Sequence, residues 1–176
     1  MEDHGMQRRR STLLSADVVG YSRMMEAAEH RTLQALLEVI TGIEREITRF
    51  GGRLVDAPGD NVLAEFPSES PALKCALAIQ RSLARRNLRV AELDRLHLRI
   101  GLHSGELLAT GGKLYGKTVN IASRLQQAAQ PASVFLSEAV AERLDSKLAC
   151  QLLELGSFRY KNLSDSVATL QACVGE

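Results

Sequence analysis

Two aspartates stand in short turns that each adjoin an apolar run: Asp17 in Ser15-Ala16-Asp17-Val18-Val19-Gly20-Tyr21-Ser22, and Asp60 in Ala57-Pro58-Gly59-Asp60-Asn61. Leu13, Leu14, Val18 and Val19 surround the first, and Val62, Leu63 and Phe66 follow the second. Such runs read as strands, and neighbouring strands lie roughly 5 Å apart. Two carboxylates on adjacent strands could then share a hard divalent cation such as Mg²⁺. Farther along, Asn120 and Arg124 are four residues apart in a helical pattern, which aims an amide and a guanidinium at one target. Each feature alone has an ordinary explanation. An aspartate at a strand-to-helix junction is commonly a cap or turn residue, Pro-Gly-Asp-Asn is common turn chemistry, and an Asn/Arg pair commonly marks a solvated helix face.

The elements that position these residues can be read from periodicity and punctuation. A strand over Ser11–Val19 leads to a helix capped by Ser22, with Leu33, Leu36, Ile40, Ile43 and Ile47 at three- and four-residue steps, stopped by Gly51-Gly52. Arg53–Val55 and Asn61–Phe66 form a hairpin around the polar bend Asp56–Asp60, whose tip is a plausible site. Ser70 and Pro71 open a second helix with Leu73, Ala76, Leu77, Ile79 and Leu83 inward, released at Arg85-Arg86-Asn87. Strands over Leu96–His103 and Glu106–Ala109 follow, then the loop Thr110-Gly111-Gly112-Lys113. This loop delivers Leu114-Tyr115-Gly116 to a helix that buries Val119, Ala122 and Leu125. A strand at Ser133–Leu136, a helix capped by Ser137, and strands at Gln151–Leu155 and Val167–Cys173 around a Lys161-Asn162 turn complete a layered α/β domain with a mainly antiparallel sheet.

Composition narrows the class. At 176 residues the expectation is a tail over 1–10 and a single domain over 11–176, large enough to bury roughly 70% of the surface of its unfolded chain. With 22 basic and 21 acidic residues the net charge is +1, so anion binding must come from a local site. A chain with no Trp, three Tyr and four Phe lacks the aromatic platform and basic face of a ferredoxin-like nucleic-acid binder. Cys75, Cys150 and Cys173 are odd in number and widely spaced, as in a cytoplasmic protein with reduced thiols. No apolar run is long enough to span a bilayer and no signal-peptide pattern is present, so a soluble protein is expected. Arg8-Arg9-Arg10 reads as a solvated tail ahead of the first strand.

Four segments in series resemble the class III adenylate/guanylate cyclase catalytic domain: Ala16–Ser22, Gly59-Asp60, Arg99–Glu106 and Tyr115–Leu125. The likeness runs in order from about residue 10 to about residue 172, and four motifs in series are far more specific than any one. It implies a ferredoxin-like core with added elements and a head-to-tail homodimer with composite sites at the shared interface. The implied reaction is attack of a ribose 3′-hydroxyl on the α-phosphorus of ATP or GTP, with release of pyrophosphate. Asp17 and Asp60 match the family's metal-binding carboxylates, implying two Mg²⁺ or Mn²⁺ ions per site. Val19, Gly20, Tyr21 and Ser22 match the segment that offers backbone groups to the phosphates. From the partner subunit, Asn120 would orient the ribose and Arg124 would stabilise charge on the α-phosphate. Lys161 matches a phosphate-contacting lysine loosely. His103 is read as a structural histidine satisfied by neighbouring backbone.

The purine positions depart from the ATP-using pattern. Where such members commonly place a lysine four residues before the second metal aspartate, this chain has Asp56. Lys113 stands where an acidic or hydroxyl residue is usual. Donor and acceptor have changed places. Asp56 could accept from guanine N1–H and N2–H₂ or from the adenine N6 amino group, so both nucleotides stay open, ATP being favoured. An inactive cyclase-homology module for dimerisation or nucleotide sensing is the alternative, because fold membership does not establish chemistry.

Overall fold

The computed structural model describes residues 5–175. Its core is an antiparallel β-α-β-β-α-β unit. Strand β1 (Gln7–Val18) is followed by helices α1 (Tyr21–Ala27) and α2 (Glu29–Arg49), the hairpin β2 (Arg53–Asp56) and β3 (Val62–Phe66), helix α3 (Glu69–Asn87), and strand β4 (Leu98–Thr110). A three-residue strand β5 (Lys113–Tyr115), helix α4 (Lys117–Ala128), strand β6 (Ser133–Ser137), the short helix α5 (Glu138–Ala141), and strands β7 (Leu152–Phe158) and β8 (Val167–Ala172) complete the chain. All strands belong to one sheet in the order β2-β3-β1-β4-β6-β8-β7, with β5 paired to β4. Only β4 and β6 run parallel, joined by the crossover through α4. This is the ferredoxin-like α+β fold with added elements at one edge.

Strand alternation distributes the core over both faces. Leu14, Ala16 and Val18 of β1 join Ala64 and Phe66 of β3 and Ile100 and Leu102 of β4 beneath α2 and α3. On the opposite face Leu13, Leu107 and Ala109 meet Ala122 of α4. The α4 helix lies so close to the sheet that a Cβ on Gly101 would stand 2.4 Å from the Gln126 amide nitrogen and 2.6 Å from the Ala122 carbonyl oxygen. Only glycine fits there, and the contact fixes the height of α4 above β1 and β4.

Several boundaries differ from the sequence expectation. The arginine cluster is not a solvated tail. Because β4 is 13 residues long, it supplies ladder partners back to Gln7, and Arg10 lies opposite Glu106. Arg9 donates to both Glu65 oxygens at 2.8 and 3.0 Å and Arg10 to Glu69 at 3.2 Å. Residues 1–4 of the expected tail lie outside the described residues. The two strands expected over Leu96–Ala109 are one, since Ser104 and Gly105 continue the ladder opposite Thr12 and Ser11.

The first expected helix is two. Ala28 leaves helical geometry at φ −159°, and its N–H and the Thr32 hydroxyl both donate to the Met24 carbonyl. Ser22 lies within α1 rather than capping it; Gly20, at φ +68°, precedes Tyr21. The buried face of α2 uses Thr32, Ala35, Leu36, Val39, Ile43 and Ile47, leaving Leu33 41% exposed. Leu36, Ile43 and Ile47 are buried as their spacing predicts, and Thr32, Ala35 and Val39 complete the stripe in place of Leu33. Ser137 stands at the N-cap of α5 as expected, but its hydroxyl is engaged by His103 and makes no capping hydrogen bond.

Candidate active site

Asp17 lies one residue from the end of β1, and Asp60 lies in the bend just before β3. Since β1 and β3 are hydrogen-bonded neighbours with Ala16 opposite Val62, the register brings both carboxylates to one end of the sheet. They line a cleft of about 380 Å³ together with Val18, Gly20, Tyr21, Ser22 and Arg23. The αL conformation of Gly20 turns the chain from strand into α1 and folds this segment over the cleft.

The carboxylates have different partners. Arg99 of β4 lies opposite Asp17 in the ladder and forks onto it, Nε to Oδ1 at 2.9 Å and Nη2 to Oδ2 at 2.5 Å. The third guanidinium nitrogen donates to the Gln127 carbonyl at 3.0 Å, linking this pair to the end of α4. Asp60 Oδ2 accepts from the Val18 N–H at 3.3 Å. Burial raises the Asp60 carboxyl above the usual range, and the Asp17 charge adds to this; backbone N–H donation and the Arg99 charge oppose it. A carboxylate held short of full solvation is poised to gain from a cation.

The donor set fits a hard metal ion. Two aspartates facing one cleft supply oxygen ligands of the kind Mg²⁺ and Mn²⁺ prefer. Each Asp17 oxygen spends one lone pair on Arg99 and keeps another for a ligand. No group of three or more His, Cys, Asp or Glu capable of holding a metal occurs among the described residues. The remaining ligands would have to be backbone, water or substrate oxygens, the usual arrangement where Mg²⁺ travels with a polyphosphate.

The other expected site residues lie elsewhere. Asn120 and Arg124 share a face of α4, as their spacing predicts. Asn120 is exposed, and Arg124 donates from Nη1 only to Gln127 Oε1, at 2.8 Å. Lys161 is exposed in the loop between β7 and β8. A Lys117–Asp165 ion pair at 2.6 Å ties that loop to the first residue of α4. None of Asn120, Arg124 and Lys161 lines the Asp17/Asp60 cleft. Val19 is beside the cleft but spends its N–H on the His97 carbonyl at 2.8 Å, so the free backbone groups belong to its neighbours.

Asp56 is exposed at the end of β2 and accepts from the Ala57 N–H at 2.9 Å. Lys113 opens β5 after the two-residue turn Gly111-Gly112, whose positive φ angles of 58° and 77° suit a tight hairpin. No ion pair joins Asp56 to Lys113 among the described residues; Arg53 of β2 instead reaches the Gly112 carbonyl at 3.4 Å. His103 is satisfied by a side chain rather than by backbone, with Nδ1 2.6 Å from Ser137 Oγ. Arg99 is the residue whose role the sequence reading missed. It stands in one of the quoted motifs, and the odd-position alternation of β4 against β1 was the available signal.

The sequence profile described as "Adenylate and Guanylate cyclase catalytic domain" matches residues 6–163. The chain belongs to this family. It is 33% identical over 174 residues to a "Putative adenylate cyclase 3" of Rhizobium meliloti, covering 95% of this chain and 29% of that protein. It is 31% identical over 144 residues to an "Adenylate cyclase" of Streptomyces coelicolor, covering 81% of this chain and 36% of that one. It thus spans about a third of the length of these relatives. Among solved structures, an adenylate/guanylate cyclase/hydrolase of Silicibacter pomeroyi superposes with a TM-score of 0.81 at 30% identity, covering 94% of this chain and 97% of that chain. The adenylyl cyclase CyaB of P. aeruginosa shares the fold, with a TM-score of 0.83 at 20% identity and coverage of 98% and 97%. No helix among the described residues is long and apolar enough to cross a membrane.

Proposed function

We propose that the chain is a cytoplasmic purine nucleotide cyclase that converts ATP, or less readily GTP, into the 3′,5′-cyclic nucleotide and pyrophosphate as a homodimer. The convergence of Asp17 and Asp60 on one cleft beside the Gly20 turn carries this reading. The cleft would take the triphosphate, with Gly20, Tyr21 and Ser22 along its wall. When bound, two Mg²⁺ or Mn²⁺ ions held by Asp17 and Asp60 would supply a lowered pKa for the ribose 3′-hydroxyl and charge neutralisation on the phosphates.

The chain's own residues do the rest. Asn120 is exposed, Arg124 is partly exposed, and neither lines the Asp17/Asp60 cleft of its own chain, so their use there requires a second copy laid against the first. There Asn120 orients the ribose, and the Arg124 fork meets the charge that develops on the α-phosphate, a term of several kcal/mol in comparable sites, about 3–4 for one donor. Lys161 adds a point charge toward the outer phosphates. Arg99 fixes the rotamer of Asp17, so the carboxylate need not reorganise when the nucleotide arrives.

ATP is favoured by the two relatives named as adenylate cyclases at over 30% identity. The exchanged purine positions favour a second reading, an inactive nucleotide-sensing module. Asp56 is already turned onto its own bend and Lys113 has no ion-pair partner among the described residues, so neither is pre-set against a base.

The test is incubation of the purified protein with Mn²⁺ and either ATP or GTP, with chromatographic separation of the products. Cyclic AMP in excess of cyclic GMP is expected. A proven dimer that makes neither product, yet binds nucleotide, would overturn the enzyme in favour of the module.

A further inference from the structure

A second cleft, of about 580 Å³, opens between α2 and α3 and shares no residue with the Asp17/Asp60 cleft. Its floor is apolar, with the buried side chains of Ile43 and Leu83. Its rim carries four arginines, Arg45 from α2, Arg85 and Arg86 from α3, and Arg89 just beyond α3, against Glu38 and Glu46. Both acids are already engaged, Glu38 by Arg86 at 3.1 Å and Glu46 by Arg49 at 3.3 Å. The side chains of Arg45, Arg85 and Arg89 have no hydrogen bond or ion pair among the described residues. Arg86 Nε is buried without a partner.

Gly42 adds an independent observation. It lies in the interior of the 21-residue helix α2 and lines the same cleft, where a Cβ would meet nothing within 4 Å. Glycine in a helix interior is unfavourable relative to alanine, and no packing within this chain requires it here. The C-terminal charge of α3 accounts for Arg85 and Arg86 in its last turn. It accounts neither for Arg45, which comes from the other helix, nor for Gly42.

We propose that this cleft binds a small phosphate-bearing organic anion, held at its oxygens by Arg45, Arg85 and Arg89, with its carbon body on the apolar floor beside Gly42. Guanidinium forks match phosphate and carboxylate oxygens in pairs, and the volume falls in the usual range for small-molecule sites. The site stands independently of the cyclase reading, since it uses none of the same residues.

The test is an amide NMR titration of the full chain with 3-phosphoglycerate and, separately, inorganic phosphate, in EDTA at low salt so that no metal assists binding at Asp17 and Asp60. Saturable shifts at Gly42, Arg45, Ser82 and Arg89 are expected with 3-phosphoglycerate. Arg45→Ala and Arg89→Ala should each weaken binding about tenfold, the loss of one charge-assisted contact. Gly42→Met, which fills the cleft, should abolish binding while thermal melting shows the fold intact, and Asp60→Asn should leave it unchanged. Absence of saturation at these amides up to about 10 mM ligand, or unchanged affinity in both arginine variants, would overturn the site. Equal affinity for inorganic phosphate would overturn the role given to the apolar floor.

Discussion

Asp17 sits in a net of fixed partners, with both carboxylate oxygens on the Arg99 fork and Arg99 anchored in turn on the Gln127 carbonyl. Arg124, one turn away on the same helix, has only the Gln127 side chain, and Asn120 projects into solvent. The half of the site that holds charge permanently is wired through β1, β3 and β4 of one chain. The half assigned to the transition state lies on an open helix face. Preorganisation is thus built into the Asp17 half, and under the proposed composite site the other half awaits a second chain. If the site is composite as proposed, a single chain carrying every proposed catalytic group would still be silent as a monomer.

The contrast is broken most severely by removing its fixed half. Asp17→Ala and Asp60→Ala are each expected to lower kcat by about a thousandfold or more, the scale of losing a metal ligand in a charge-controlled displacement. Asp17→Ala should in addition destabilise the fold by about 1–3 kcal/mol, because it leaves a partly buried Arg99 without its carboxylate. Chemical denaturation with a kinetic assay separates the two losses. Arg124→Ala should cost about a hundredfold to a thousandfold in kcat with the denaturation midpoint unmoved. If Arg124→Ala destabilises as much as Asp17→Ala, the open-face description is wrong.

A pH titration sharpens the same comparison from the scaffold side. His103 of β4, beside Ser137, is pushed down to about 4, chiefly by burial and then by the positive charges of Arg10 and Lys117. Its folded value lies below its unfolded value, so between about pH 6.5 and pH 4 the unfolded chain binds the extra proton. Its contribution to stability is therefore full above about pH 6.5 and lost as pH falls toward 4, by about 3 kcal/mol at most. His103→Gln should flatten this part of the stability profile without moving the Arg99–Asp17 pair, and an unchanged slope would contradict the assignment. The smallest effect is expected at the exposed Lys117–Asp165 pair that tethers the Lys161 loop. Asp165→Ala should change KM for the nucleotide by about twofold, with kcat and melting unaltered.

Much of this was legible before the structure because the chemistry is concentrated in local motifs. Asp17, Asp60 and the Asn120/Arg124 spacing each lie within a few residues of a turn or cap. The loop at Gly111-Gly112 was legible from its glycines, whereas the return of Lys113–Tyr115 as strand β5 was not. What the sequence hid depends on pairing over distance. The strand register that places Arg99 opposite Asp17 joins residues 82 apart. The reach of β4 back to Gln7 converts a basic tail into strand, and no local pattern in Arg8-Arg9-Arg10 announces Glu65 and Glu69 as partners. One position of α2 was misread for the same reason: Leu36, Ile43 and Ile47 are buried as expected, but Thr32, Ala35 and Val39 also face the core because of what lies across from them, while Leu33 does not.

The central claim is that one complete site needs Asp17 and Asp60 from one chain and Arg124 from another. It is tested most directly by mixing the Asp17→Ala and Arg124→Ala proteins, each inactive alone, and measuring cyclic nucleotide formation alongside heterodimer content. One of the two composite sites in such a heterodimer keeps every residue. Activity should rise with the heterodimer fraction, toward about half that of the unmodified dimer per heterodimer. Heterodimers that are demonstrably formed and remain inactive would contradict the account.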